Sequence, residues 1–320
     1  MKDGISLTVI LTIQSMNADL SRTLASLYEN KGGNPFELRA VVGRENHVAP
    51  QILTVFQKSK KNFSFTVQKN ATMLETVARE IGKAAGNYIL IADGADRFMA
   101  EGFVALSEFI EKTDVDAVFF DTPSHRALFS ANRKKFVQYA SIEAFLPERR
   151  GKGAVLKKQC FEKIAPYTGS LGFYDAFAVA PLAFCTTAAY LHAGVYKRGD
   201  RGREDTAHLY EESQRVLSLA DFFGEMRPTL GEGKYAFLFR YTVKRIVRIY
   251  DALFLSDGQS LDELRKFDAA LRKKNMPLYL SAGERSVFSY VEKLRNKDFA
   301  PSGILKRAVK LYLEVRNDIS

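Results

Sequence analysis

The residues best suited to chemistry are two close-spaced aspartates, one isolated aspartate and a run of cations. Asp93 and Asp96 follow directly on the apolar segment Tyr88-Ile89-Leu90-Ile91-Ala92, with Gly94 and Ala95 between them. Two carboxylates at the end of a strand either close a polar turn or face a ligand, and a hard cation prefers such oxygen donors. Asp175 heads the apolar stretch Ala176 to Val195, where an aspartate can cap a helix. Lys197, Arg198, Arg201 and Arg203 are interleaved with Gly199, Asp200, Gly202, Glu204 and Asp205. That run is a solvated loop or a set of fixed cations awaiting an anion. His47, His125, His192 and His208 lack metal-ligand spacing. Cys160 and Cys185 are too few for a disulfide framework or a thiolate site; they read as core residues of a protein kept in a reducing cytoplasm.

The elements that position these residues are read from periodicity. Ser6 to Thr12 is a short β-rich apolar run, and Leu20, Leu24 and Leu27 follow at helical spacing. Gly32-Gly33-Asn34-Pro35 breaks that helix. Phe36 to Val42 reads as a strand, Val48 to Lys58 as a helix, Asn62 to Gln68 as a strand and Met73 to Ala85 as a helix. Gly86 is expected to end the last of these as a left-handed cap. Tyr88 to Ala92 is a fourth strand, and Asp116 to Phe120 a further one. Such alternation predicts an α/β fold with a parallel sheet, helices on both faces, and ligands beyond the carboxyl ends of the strands. Asp93 and Asp96 fall at one of those ends.

The chain has 320 residues, 46% of them hydrophobic, and a net charge of +10. From Lys234 onward there are 18 basic and 10 acidic residues, so +8 of the excess lies there. A basic balance of this kind suggests an anionic partner. Ala176 to Val195 is long enough to span a bilayer, but Pro181, Thr186-Thr187 and His192 interrupt it, which favours a buried helix. The first residues have no signal-peptide layout. After the charged loop the sequence is helix-like over Lys234 to Leu255, Ser260 to Lys274, Arg285 to Arg295 and Ile304 to Arg316. The expected division is a domain over 1–205 and a helical, basic C-terminal region over 206–320. Arg240, Lys244 and Arg248 recur every four residues beside the apolar Phe239, Val243, Ile246, Val247, Ile249, Tyr250 and Leu253. A helix so patterned lies in a membrane interface or packs on protein with its charges in water. Lys306, Arg307 and Lys310 form a second such cluster. No nucleic-acid-binding motif accompanies them, and no nucleic-acid partner is expected.

Thr8-Val9-Ile10-Leu11, Phe36-Glu37-Leu38, Asn70, Ala84-x-Gly86-x-Tyr88-Ile89 and Asp93-x-x-Asp96, in this order and spacing, resemble family 2 glycosyltransferases of the GT-A fold. Gly153 to Ile164 is similar to that family's acceptor-side strand and helix. Asp175 falls at the second acid of its Glu-Asp motif, and Val195-Tyr196-Lys197-Arg198 resembles its closing aromatic-basic strand. The resemblance implies inverting transfer of a sugar from a nucleoside-diphosphate donor to a hydroxyl acceptor. Asp175 would be the base. Thr12, Asn70, Asp93, Asp96, Lys197, Arg198, Arg201 and Arg203 would line the donor site. Asp93 would lie near the ribose and Asp96 near the metal, the two being the candidate ligands of a manganese or magnesium ion. The pattern is broken at three places: the paired aspartates after the second strand are Val42-Gly43, an arginine-asparagine pair is Val77-Ala78, and the metal-ligating aspartate is Ala95. The basic residues from Lys197 to Arg203 could neutralise a leaving diphosphate without a metal. By analogy the partners are a nucleotide sugar and a glycan or lipid-linked acceptor. The setting is cell-surface polysaccharide synthesis, cytoplasmic or peripheral on the inner membrane face. The competing reading is a scaffold that keeps the fold without the catalysis.

Overall fold

The computed structural model describes residues 4–14, 20–29, 34–122, 136–139, 141–145, 152–199, 209–255 and 260–274, together with 292, 295 and 296. Arg201, Arg203, the segment Ile304 to Arg316 and most of Arg285 to Arg295 lie outside the described residues.

The first strand, β1 (Leu7–Ile13), is buried at every position, as a strand covered on both faces must be. It pairs in parallel with β2 (Phe36–Val42) and β4 (Tyr88–Asp93), and β2 pairs in parallel with β3 (Phe63–Val67). Beyond β4 the sheet is mixed. β8 (Lys152–Lys157) runs antiparallel to both β4 and β6 (Ala117–Asp121). β9 (Ala188–Gly194) is parallel to β6, and β7 (Phe136–Tyr139) is antiparallel to β9. The order is β3-β2-β1-β4-β8-β6-β9-β7, and β5 (Arg97–Phe98) pairs with β10 (Tyr196–Lys197) in a separate ribbon. The expected α/β sheet is therefore present, parallel where βαβ units build it and mixed beyond.

Alternation along the strands sorts the side chains onto two faces. Val9, Leu11 and Ile13 share one core with Leu24 and Leu27 of α1 (Leu20–Tyr28), Leu53 of α2 (Ala49–Ser59) and Leu106 of α4 (Ala100–Lys112). Thr8 looks the other way, toward α3 (Met73–Lys83), and its hydroxyl donates to Glu37 at 2.8 Å. Arg39 bridges Glu37 at 2.9 Å and Glu80 of α3 at 2.6 Å. Glu80 is only 2% exposed, yet its carboxyl sits below the usual glutamate value: burial pushes it up, and hydrogen bonds from Lys83 and Arg39 outweigh that. α3 starts at Thr72, whose hydroxyl accepts from the Glu75 amide while Glu75 accepts from the Thr72 amide, a capping box.

Two expectations need correction. Gly86 is not a left-handed cap; among the described glycines only Gly4 has positive φ. A Cβ on Gly86 would lie 2.6 Å from the Thr8 nitrogen, and its amide donates to the Thr8 hydroxyl at 3.0 Å. Glycine is present because two backbones touch. Ala176 to Val195 is not one helix either. It divides into a π-helical turn over Asp175–Val179, a 3₁₀ turn over Ala180–Phe184 and strand β9. Pro181 disrupts α-helical bonding, and the amides of Thr186 and Thr187 bond Asp116 Oδ2 at 2.8 and 3.2 Å, which starts the strand. No helix among the described residues is long and apolar enough to cross a membrane.

Between β7 and β8 lies the short α5 (Ile142–Phe145), and α6 (Lys158–Ile164) follows β8. The chain then divides into two compact units, Met1–Gly169 with Phe173–Glu204, and Ser170–Gly172 with Asp205–Ser320. The second unit contains α7 (Leu209–Met226), which sequence periodicity did not single out, α8 (Glu232–Leu255) and α9 (Ser260–Lys273), all packed on one another. In α8, Phe239, Val243, Ile246, Val247, Ile249 and Tyr250 are buried, while Arg240, Lys244 and Arg248 are exposed. The apolar face of α8 is thus covered by protein. The buried Tyr250 hydroxyl donates to Asp268, which also accepts from Arg272 and Arg295 at 2.7 Å each.

Candidate active site at the carboxyl edge of the sheet

Parallel strands β1 to β4 bring their carboxyl ends to one edge. β1 and β4 pair Thr12 with Asp93, and the Gly94 amide extends the ladder by donating to the Thr12 carbonyl at 2.7 Å. Thr12 is 4% exposed, and its hydroxyl donates to the Ala92 carbonyl at 3.2 Å, so it ties β1 to β4. Beyond β4 the chain makes a tight turn. The Asp96 amide donates to the Asp93 carbonyl, and the Ala95 amide donates to Asp93 Oδ1, both at 2.9 Å. Asp93 is half-buried. Asn70, exposed in the connection after β3, stands at the same edge, where the Gln68 amide bonds the Val42 carbonyl at 2.8 Å.

Asp96 behaves differently from Asp93. It has no exposed surface. Its Oδ2 accepts from the Asp93 amide at 2.9 Å and its Oδ1 from the Gly199 amide at 3.0 Å. The carboxylate therefore joins the β4 turn to the segment that carries Lys197 and Arg198. The ribbon beside it pairs Tyr196 with Phe98 and Lys197 with Arg97. Residues directly opposite share a face. Phe98 and Tyr196 are buried with ring centroids 5.7 Å apart. On the other face Arg97 is exposed and Lys197 half-buried, and the next residue, Arg198, is exposed. Among the described residues none of these three cations has a salt-bridge partner.

Arg97 is a residue that sequence reasoning missed. A two-residue strand is too short for a period to show, so nothing in Asp96-Arg97-Phe98 reveals which side of the chain meets Lys197. Asp121 was also missed; it ends β6 on the same edge and accepts from the Tyr190 hydroxyl at 2.6 Å. Its signal was legible, because Ala117-Val118-Phe119-Phe120-Asp121 repeats the apolar-strand-then-aspartate pattern of β4.

β8 runs toward the amino edge, where Lys158 donates through its amide to the Asn87 carbonyl at 2.7 Å and through Nζ to the Gly82 carbonyl at 2.8 Å. α6 and the 3₁₀ turn Ala165–Tyr167 follow, and the helical run from Asp175 leads on to Thr186 at the start of β9. Asp175 is fully buried and opens the π-helical turn, a geometry that recurs at functional sites. Phe177, two residues on, packs edge-on against Phe173 at 4.9 Å. A cavity of about 270 Å³ lies between Tyr28, Phe36, Phe103, Lys60 and Lys61, by the amino ends of β2 and β3, and the Phe103 ring meets Phe98 of the ribbon at 5.4 Å.

No protein-family model matches the sequence, and neither does any curated protein. Solved structures do match. The S. aureus TarS 1-349 structure aligns with a TM-score of 0.61 at 13% identity, covering 83% of this chain and 81% of its own. TarS 1-349 in complex with UDP-GlcNAc aligns at 0.60, also 13% identical, over 85% of this chain and 82% of its own. The same protein in complex with UDP aligns at 0.60 and 13% identity over 97% and 91%. The fold is the GT-A glycosyltransferase fold. In that fold the carboxyl edge bearing Asp93 is the natural place for a ligand.

The resemblance implies a divalent cation, and the donor set can be tested for it. Ala95 offers no side-chain ligand atom, both oxygens of Asp96 accept backbone N–H groups, and Asp93 is the remaining carboxylate at the turn. Among the described residues no three of His, Cys, Asp and Glu stand together as a metal site. A hard cation caged by protein alone takes six or more oxygens, and these residues do not fit such a cage.

Proposed function

We propose that this chain transfers a sugar from a nucleoside-diphosphate donor to a hydroxyl acceptor, with inversion. The 1–205 region would be the catalytic domain, and 206–320 an appended helical region. The observation that carries the proposal is the grouping, at the carboxyl edge of a GT-A sheet, of the Asp93 turn with the paired cations Arg97 and Lys197 and the adjoining Arg198. It is supported by the likeness to TarS, which has been crystallised with UDP-GlcNAc and with UDP.

In this account Asp93 meets the ribose, and Asn70 flanks the donor. Arg97, Lys197 and Arg198, with Arg201 and Arg203 from the following loop, neutralise the diphosphate as it leaves. Asp175 takes the proton of the acceptor hydroxyl, whose oxygen attacks the anomeric carbon opposite the departing diphosphate. No step passes through a metal. A glycan or lipid-linked acceptor in cell-surface polysaccharide assembly fits the basic C-terminal region, with the exposed Arg240, Lys244 and Arg248 turned to an anionic membrane surface. The test is turnover with a panel of nucleotide sugars, with and without manganese, in the natural sequence and in Asp175→Asn. Loss of turnover in that variant, with donor binding kept and no manganese requirement, is the expected result.

A second reading has an observation of its own. Val42, Ala78 and Ala95 stand where the resembled family carries polar residues, which favours a non-catalytic binding protein built on the same fold. Donor binding without turnover, in the presence of acceptor, would select it.

A further inference from the structure

We infer that Asp96 is a positioning residue: a buried clasp whose carboxylate locks the Asp93 turn to Gly199 and so holds the cationic ribbon in register for a diphosphate. The inference rests on the proposed transferase reading for its functional consequence, and on geometry alone for the clasp. Asp96 is fully buried, and each of its oxygens accepts one backbone N–H, from Asp93 at 2.9 Å and from Gly199 at 3.0 Å, across 103 positions of sequence. Such charge-assisted bonds are roughly twice as strong as neutral ones. Gly199 is itself constrained. A Cβ there would lie 2.2 Å from the Ala95 carbonyl oxygen and 2.6 Å from the Ala95 Cβ, so the two backbones meet only because residue 199 is glycine and residue 95 is small.

The ribbon needs this fastening. Its ladder has two register pairs, Tyr196 with Phe98 and Lys197 with Arg97, and two-stranded ribbons are marginal unaided. One of the pairs sets two cations directly opposite each other, which is unfavourable. Asp96 sits next to Arg97 in sequence and supplies both the anchoring bonds and the compensating negative charge. Open the clasp and the cations separate, so that an anionic donor loses its site while the acceptor side is untouched.

Two substitutions open it by different routes. Asp96→Asn keeps one acceptor oxygen and loses one of the two amide bonds. Gly199→Ala leaves the carboxylate intact and drives the backbones apart at Ala95. In the ligand-free chain, amide exchange at Gly199 or Asp93, whichever loses its acceptor, should quicken by about tenfold or more in Asp96→Asn, with the β1 amides and those of Tyr88 to Ala92 unchanged. In turnover assays both variants should raise the donor KM by about tenfold and lower kcat to a similar degree in the two, while the acceptor KM stays within about twofold. Unchanged exchange at both Gly199 and Asp93 in Asp96→Asn would overturn the clasp. Faster exchange with an unaltered donor KM would overturn its positioning role. Loss of kcat in Asp96→Asn with Gly199→Ala unaffected would mark Asp96 as a ligand-contacting group instead. If the natural sequence turns over no donor, the transferase reading fails, and the exchange measurement still decides the clasp.

Discussion

Asp175 lies fully buried at the start of a π-helical turn, and the proposed mechanism makes it the base. Replacing it by Asn keeps the shape and removes that function. The expected result is a fall in kcat of about 10²-fold or more with the donor KM unchanged, measured by steady-state kinetics beside circular dichroism of the same samples. A kcat within about twofold of the natural sequence would remove Asp175 from the mechanism. At the cationic face, Lys197→Ala and Arg97→Ala should each weaken nucleoside-diphosphate binding by about tenfold and make it less salt-sensitive. Their melting temperatures should hold or rise, because each relieves a like-charged cross-strand pair; titration calorimetry at two ionic strengths and a thermal melt check both halves. Of these residues, Asp93, Lys197 and Arg198 were legible from type and context. Arg97 was not, because only the pairing register of a two-residue ribbon sets it opposite Lys197.

Elements were legible where periodicity extends over several residues and misread where close backbone contact decides. The alternation from Ser6 to Ala92 identified β1 to β4 and their helices because each segment is long enough to display a period of two or 3.6. The twenty apolar residues from Ala176 to Val195 displayed only hydropathy, which a buried strand and a buried helix share. What divides them is Pro181 and the Asp116 carboxylate 70 positions away from Thr186, which accepts from that residue's amide and, at 2.6 Å, its hydroxyl. Gly86 shows the same limit, since a helix-ending glycine and a glycine pressed on β1 look alike in sequence. Gly86→Ala should therefore destabilise by about 1–3 kcal/mol through overpacking against Thr8, read from the urea midpoint at unchanged m-value. A stabilised or neutral variant would contradict the close-contact account.

At the scale of the whole molecule, two buried acid networks tie the sheet to its surroundings. Glu80, held by Arg39 and Lys83, and Asp116, held by Thr186, Thr187 and Lys157, both have carboxyls below their ordinary values; in each, burial works to raise the value and hydrogen bonds outweigh it. Their stabilisation is complete above their ordinary values of 4.5 and 3.8 and is lost as the pH falls through the lower folded values. Melting temperature should therefore hold near neutrality and drop steeply below about pH 4.5, and Glu80→Gln should lower the plateau by about 3 kcal/mol and flatten that drop. The fold as a whole was legible because the alternation of strands and helices agreed with the resemblance. The proposed donor site was legible only in outline, since its cations depend on a two-residue ribbon and its aspartates differ in ways only hydrogen bonding reveals. The central claim is that the carboxyl edge binds a nucleoside-diphosphate sugar without a protein-held metal. Its most direct test is thermal stabilisation by a panel of nucleotides and nucleotide sugars, with and without manganese. The account predicts a rise in melting temperature with at least one diphosphate donor, equal in both conditions and lost in Lys197→Ala. No rise with any donor, or a rise that appears only with manganese, would contradict it.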